Sequence, residues 1–161
     1  MLMVKTRIKE SSVHGIGLFA DQFIPKGTVT WRFMPGLDLI VSEDTLLQLS
    51  EASRKQFLNY CYVDRFTKHF ILCFDDERFI NHSEIDFNII QSRSENEVEG
   101  IEIASRDIHP GEELICNYYD FDFDASRKLN KSHIYSYTIE DDEERTKKTR
   151  DFIQQLSSKN N

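Results

Sequence analysis

Three short clusters gather the groups that chemistry would need. His14 to Ala20 reads HGIGLFA and sets Gly15 and Gly17 on either side of Ile16; Arg78 to Ser83 reads RFINHS; Gly111 to Tyr119 reads GEELICNYY. Glycines flanking one residue let a loop approach a ligand closely and offer it backbone donors, and they equally well make a tight turn. An arginine, an amide and an imidazole beside two apolar residues supply more hydrogen-bonding groups than a simple loop needs, although Asn81 and His82 would also cap a turn by satisfying buried backbone groups. The run from Leu114 to Tyr118 predicts a strand that delivers consecutive tyrosines, Tyr118 and Tyr119, one to each face, for catalysis or for packing.

The elements that must position these clusters are mostly short strands. Period-two alternation predicts one at Val4 to Ile8, and others follow at Leu18 to Ala20, Val29 to Phe33, Leu39 to Val41 and Gly100 to Ala104. Tyr60 to Val63 and His69 to Phe74 predict a hairpin closed by Asp64 to Lys68. Pro25-Lys26-Gly27 and His109-Pro110-Gly111 each combine a fixed φ with a permissive residue and predict turns between strands. Ala20, Ile24 and Gly27 share their spacing with Ala104, Ile108 and Gly111, a short internal echo. Ser42 followed by Glu43 and Asp44 is a helix N-cap with acids in the first turn, and the predicted helix runs to about Asn59. Glu140 to Arg150 is nearly all charged, and Phe152, Ile153 and Leu156 would lay one thin apolar stripe on a terminal helix, either solvated or bound to a partner.

Composition narrows the classes. The chain has 161 residues and 39% hydrophobic content, enough for one domain. Cys61, Cys73 and Cys116 form no CxxC pair, which points away from a disulfide framework or a cysteine-rich metal site and toward reduced thiols in an intracellular, cytoplasmic or nuclear protein. The first twenty residues mix charges with short apolar runs, and the chain lacks a long apolar stretch, so neither a signal peptide nor a membrane span is expected. With 28 acidic against 20 basic side chains, the net charge of −8 would repel a phosphate backbone and attract a cationic partner. Nucleic acid is therefore not an expected direct partner; a lysine-bearing, basic protein is.

Taken together, in this order and wording, the three clusters resemble the SET-domain family of protein-lysine methyltransferases over about Val4 to Phe123. The resemblance implies a mainly β fold with a few helices, a β-clip of small sheets with a knot-like crossing of the RFINHS and ELICNY segments. The domain would span 1–125, leaving 126–161 as a C-terminal flank. It implies S-adenosylmethionine as cofactor, with Gly15, Ile16 and Gly17 along its methionine portion, Arg78, Phe79, Asn81 and His82 at its carboxylate and adenine ends, and Phe121 and Phe123 covering the adenine. Tyr118 would be the catalytic tyrosine. Tyr60 and Tyr62, taken as alternate positions of a strand, and Cys116, two residues before Tyr118 on the same strand, would line the substrate-lysine channel with it. Relatives carry an aromatic at the Cys116 position, so the smaller cysteine implies room for an already methylated amine. The sequence departs from the family pattern in placing Asn117 before the tyrosine and in having no cysteine after Cys116, so the zinc cluster of many relatives cannot form. Two rivals are a catalytically weak SET-like module that binds a basic peptide, and a hydrolase using Cys61 or Cys116 with a histidine.

Overall fold

The computed structural model describes residues 1–65, 67–93 and 99–129. The predicted terminal helix and most of the 126–161 flank lie outside them. β1 (Thr6–Glu10) pairs antiparallel with β2 (Ile16–Ala20), in register Thr6 to Ala20 and Glu10 to Ile16. The hairpin thus starts two residues later than alternation predicts, and Ile16 and Gly17 lie within its second strand. β3 (Val29–Arg32), β4 (Leu39–Val41), β5 (Tyr62–Val63) and β6 (Phe70–Leu72) follow. A 3-10 turn over Asp76–Phe79 leads into β7 (Asn81–His82), and β8 (Ile89–Ser92), β9 (Ile101–Ala104) and β10 (Ile115–Cys116) complete the set. They form a five-stranded sheet in the order β3-β9-β8-β10-β7 and a three-stranded sheet in the order β4-β6-β5. The mainly β architecture of small sheets is the one the resemblance implies.

The internal echo is realised as a local two-fold relation. Ile24 and Ile108 face each other and exchange both backbone hydrogen bonds at 2.9 Å. Gly27 N donates to Ala104 O and Gly111 N to Ala20 O, each at 2.8 Å; Ala104 N donates to Thr28 O and Ala20 N to Glu112 O, each at 2.9 Å. Gly27 and Gly111 sit at φ 83° and 91°, a left-handed backbone that glycine alone adopts freely. Leu18, Ile24, Trp31, Ile89, Ile108 and Leu114 are buried in the main core that this arrangement closes. Each such side chain contributes about 1.5–3 kcal/mol of apolar burial.

The predicted single helix is two: α1 (Glu43–Gln48) and α2 (Glu51–Tyr60). Ser42 Oγ caps the first by accepting from Thr45 N, and Ser50 Oγ caps the second by accepting from Ser53 N, each at 3.2 Å. A serine that offers its oxygen to the backbone three residues on favours a new start over continuation, so the chain turns extended at Leu49. α2 then consumes Tyr60, and β5 begins only at Tyr62, opposite Ile71.

Candidate active site

The site is built at a crossing of segments. β10 lies parallel between β7 and β8, and the loop joining those two strands closes around it. Ser83 N donates to Cys116 O at 3.1 Å and Asn88 N to Ile115 O at 2.9 Å, while the Asn88 side chain donates to Glu113 O and accepts from Ile115 N. This is the knot-like passage of ELICNY through RFINHS. The predicted strand over Leu114 to Tyr118 shrinks to Ile115–Cys116 because the Asn117 side chain accepts from Tyr119 N at 3.2 Å and caps a short helix, α3 (Tyr118–Phe121). Tyr118 and Tyr119 therefore leave the crossing on a helical turn, and the period-two argument that aligned Cys116 with Tyr118 does not hold.

Asn81 faces the glycine loop. Its Nδ2 donates to His14 O and Ile16 O, both at 3.1 Å, and to Glu113 Oε1 at 2.8 Å, while Glu113 Oε2 accepts from Ser11 Oγ at 2.9 Å. The amide thus fixes the loop, and the second carboxyl of the GEEL run fixes the amide. Gly15, at φ 51°, has open space where a side chain would start; a Cβ on Gly17 would meet Glu113 Oε1 at 2.1 Å. Gly15 thus serves the loop's turn, and Gly17 serves the packing behind it.

Tyr118 N donates to His82 Nδ1 at 3.1 Å, so that nitrogen carries no proton and the imidazole is neutral. Burial holds its pKa below the usual histidine value against the opposing pull of Glu84 and Asp120. The Tyr118 hydroxyl donates to Ile80 O at 2.5 Å. Burial first, then Cys116, Asp122, Glu102 and Glu77, push this phenol far above its ordinary range. It remains a neutral donor whose proton is already placed, with its oxygen lone pairs left to accept.

A cavity of about 810 Å³ opens beside these groups. Its walls bring together Gly15, Ile16, Tyr60, Arg78, Phe79, Asn81, His82 and Tyr118, residues drawn from all three clusters and from the end of α2. Its volume is in the range of small-molecule and cofactor sites. Tyr60 stands edge-on to Phe79 at 5.5 Å between ring centroids, and the Arg78 guanidinium lies 5.0 Å from the Phe79 ring. An adenosyl group fits this set: a glycine turn with open space beside it, aromatic rings, and polar side chains held in place by the crossing.

Five expected residues lie elsewhere. Gly17 lies behind the loop, for the reason above. Tyr62 and Cys116 belong to the main core rather than to these walls; Cys116 is 3% exposed, with its Sγ against Asn81 O at 3.8 Å. Cys116 therefore does not line this cavity. The alternation expected of Tyr60 and Tyr62 is interrupted by a helix end, and Tyr62 does not share this wall with Tyr60. Phe121 is buried edge-on against Tyr62 and Tyr118 and supports the Tyr118 ring from behind. Phe123 is 58% exposed, with the Lys68 ammonium 3.4 Å from its ring centroid. Burial pushes the Cys73 and Cys116 thiols up, which disfavours the thiolate that a Cys116 nucleophile would need.

The sequence missed several wall residues. Lys55, Leu58 and Asn59 come from α2, and Lys128 and Leu129 from α4 (Ala125–Leu129). No motif marks them, because their part depends on how two helices fold back over the clusters. Glu113 had a signal, since it stands inside the GEEL run.

Among the described residues no helix is long and apolar enough to cross a membrane. Among curated protein sequences no relative matches the chain. Among solved structures it resembles a Plasmodium falciparum candidate histone methyltransferase at 18% identity and TM-score 0.50, over 73% of this chain and 95% of that one. It also resembles the Chaetomium thermophilum Polycomb Repressive Complex 2 bound to GSK126, at 24% identity and TM-score 0.57, over 80% of this chain. A structure of the same complex in an autoinhibited conformation bound to S-adenosylmethionine gives 23% identity and TM-score 0.55, over 80%. In both of those the match spans only 17% of the larger chain. The SET-domain family model matches residues 15–119, from the glycine loop through Tyr118 and Tyr119 and well over half the sequence, and the chain accordingly belongs to the SET-domain family.

Proposed function

We propose that the chain is a protein-lysine methyltransferase that uses S-adenosylmethionine as methyl donor and a lysine of another protein as acceptor. The observation that carries this reading is the convergence of Gly15, Asn81, His82 and Tyr118 on one cavity, with the Tyr118 proton spent on Ile80 O. Family membership supports the reaction class, and the match to a structure holding S-adenosylmethionine supports the cofactor.

The donor supplies a methyl group already activated on a sulfonium. Gly15, Ile16, Arg78, Phe79, Asn81 and His82 would hold it, and the protein's remaining task is alignment, which converts an encounter into an intramolecular step. The phenol oxygen of Tyr118, locked by its bond to Ile80 O, accepts from the acceptor amine and turns the nitrogen lone pair along the attack line. Bound there, the donor would pass its methyl group to that lone pair and leave as the neutral thioether. Tyr118 is no base, because its phenol stays protonated; the acceptor ammonium gives its proton to water first. Exposing a free lysine's lone pair at neutral pH costs about 4 kcal/mol, and an aromatic pocket lowers that cost by disfavouring the charged form.

The net charge of −8 favours a basic substrate, histones among them. The buried, unbridged Cys61, Cys73 and Cys116 suit an intracellular setting. Incubation of the chain with labelled S-adenosylmethionine and a panel of histones, ribosomal proteins and cell lysate, with mass spectrometry of labelled lysines, tests the proposal. Label on lysine side chains is the expected result. Cofactor and basic-peptide binding without any transfer would replace the enzyme with a binding module, and no cofactor binding at millimolar concentration would overturn the reading.

A further inference from the structure

α4 carries a fixed positive charge into the cavity wall. The Lys128 ammonium donates to Cys61 O, lies 2.6 Å from Asp122 Oδ2 and stands 5.8 Å from the centroid of the Tyr118 ring. Asp122 is fixed in turn: Oδ1 accepts from Val63 N at 3.0 Å and from Asp124 N at 2.9 Å. The Asp122 side chain is 1% exposed and that of Lys128 16%, so the pair is a dipole with its carboxylate inside the protein and its ammonium toward the cavity. Lys55 and Arg78 are the other cations in the wall, and no carboxylate stands among its described residues. His82 is neutral; Glu84 and Asp120 act on it without being part of the described wall, and Cys116 and Tyr118, protonated, add no charge. In a chain of net charge −8, the described wall of this cavity thus carries three cationic side chains and no acidic one, with the Lys128 charge held by Asp122 behind it.

Resting on the function proposed above, we propose that Lys128 is a positioning residue whose fixed charge makes the cavity discriminate against cations. Two consequences follow from Coulomb's law at this range. The cavity holds the neutral thioether left after transfer more tightly than the sulfonium donor, so turnover responds to the ratio of donor to product. The acceptor lysine is admitted as the neutral amine, because a second ammonium beside Lys128 has its pKa lowered, as a neighbouring cation does to any lysine.

The test is calorimetric binding of S-adenosylmethionine and of S-adenosylhomocysteine to the full chain, with Lys128→Gln, Lys128→Arg and the double variant Lys128→Gln/Asp122→Asn. The double variant guards against a fold lost to an unpaired buried Asp122. In Lys128→Gln the ratio of donor Kd to product Kd falls about three- to tenfold, the effect of removing a unit charge that faces a sulfonium seated about as far from Lys128 as the Tyr118 ring, at an effective dielectric between protein surface and water. The double variant moves the same way by at least about twofold, since only a dipole is lost, and Lys128→Arg leaves the ratio within about twofold of wild type. Where transfer is measured, the acid limb of the kcat–pH profile rises by about half to one unit in Lys128→Gln and not in Lys128→Arg. Binding of both compounds with an unchanged ratio in Lys128→Gln and the double variant overturns the role of Lys128 alone. A shift in Lys128→Arg as large as in Lys128→Gln overturns it too, by showing packing rather than charge. Binding of neither compound to the wild-type chain overturns the proposed function, and this inference with it.

Discussion

Replacing Asn81 with alanine tests whether the amide builds the cofactor loop from behind. Its Nδ2 serves three acceptors, His14 O, Ile16 O and Glu113 Oε1, with two hydrogens, so one bond is shared. A neutral hydrogen bond is worth about 1 kcal/mol and one to a carboxylate about 1.5–3 kcal/mol, so Asn81→Ala should cost about 3 kcal/mol. The Glu113 carboxylate, left with Ser11 Oγ, and the Gly15 turn, freed from its anchor, should also weaken cofactor binding at least tenfold. Urea unfolding gives the first quantity and calorimetry with S-adenosylmethionine the second. Asn81→Asp sharpens the test, because it sets two carboxylates against each other at the 2.8 Å contact and should be worse than alanine; Glu113→Gln in that background restores a donor facing an acceptor and should recover about half the loss. A loss below about 1 kcal/mol in Asn81→Ala, or no recovery in Asn81→Asp/Glu113→Gln, would refute the bracket.

Tyr118→Phe should keep cofactor affinity within about threefold, cost about 1–2 kcal/mol through the unsatisfied Ile80 carbonyl, and lose at least about a hundredfold in kcat; unchanged turnover removes the role given to that oxygen. His82 should make stability fall with acid: its folded pKa lies below its ordinary value of 6.5, so the contribution is present above pH 6.5 and is lost as pH drops below it, when Nδ1 must protonate and release Tyr118 N. Thermal unfolding between pH 5 and about 8 should show a slope that flattens in His82→Asn, whose carbonyl still accepts at the Nδ1 position. Glu77 and Glu102 are buried together, and burial first, then each other's charge for Glu77, raises both above the ordinary carboxylate value. Stability tied to them is therefore full at low pH and lost as pH rises through the raised value; Glu77→Gln should gain about 1 kcal/mol at pH 8 and nothing near pH 4.5. Equal midpoints for Glu77→Gln and wild type at pH 8 would contradict this.

The clusters were legible in the sequence because their chemistry is local. Glycines that permit a turn, an Asn-His pair and a tyrosine behind an amide cap keep their character in any fold, and their joint order named the family. The spacing of Ala20, Ile24 and Gly27 against Ala104, Ile108 and Gly111 was also local, and it became a two-fold arrangement once both copies paired. Where the period of an element carried the argument, tertiary structure decided otherwise. Ser50 split the predicted helix, α2 took Tyr60 out of alternation with Tyr62, and Asn117 ended the strand before Tyr118, so Tyr62 and Cys116 went to the core. Each reversal came from one polar side chain or one extra helical turn, whose competition with neighbouring choices depends on burial that sequence does not display. Glu113 behind Asn81, and Lys55 and Lys128 across from the glycine loop, are placed by the return of the chain through the crossing and by the packing of α2 and α4. A lysine in sequence is only a charge; which wall it occupies, and that Asp122 holds it there, is a property of the fold.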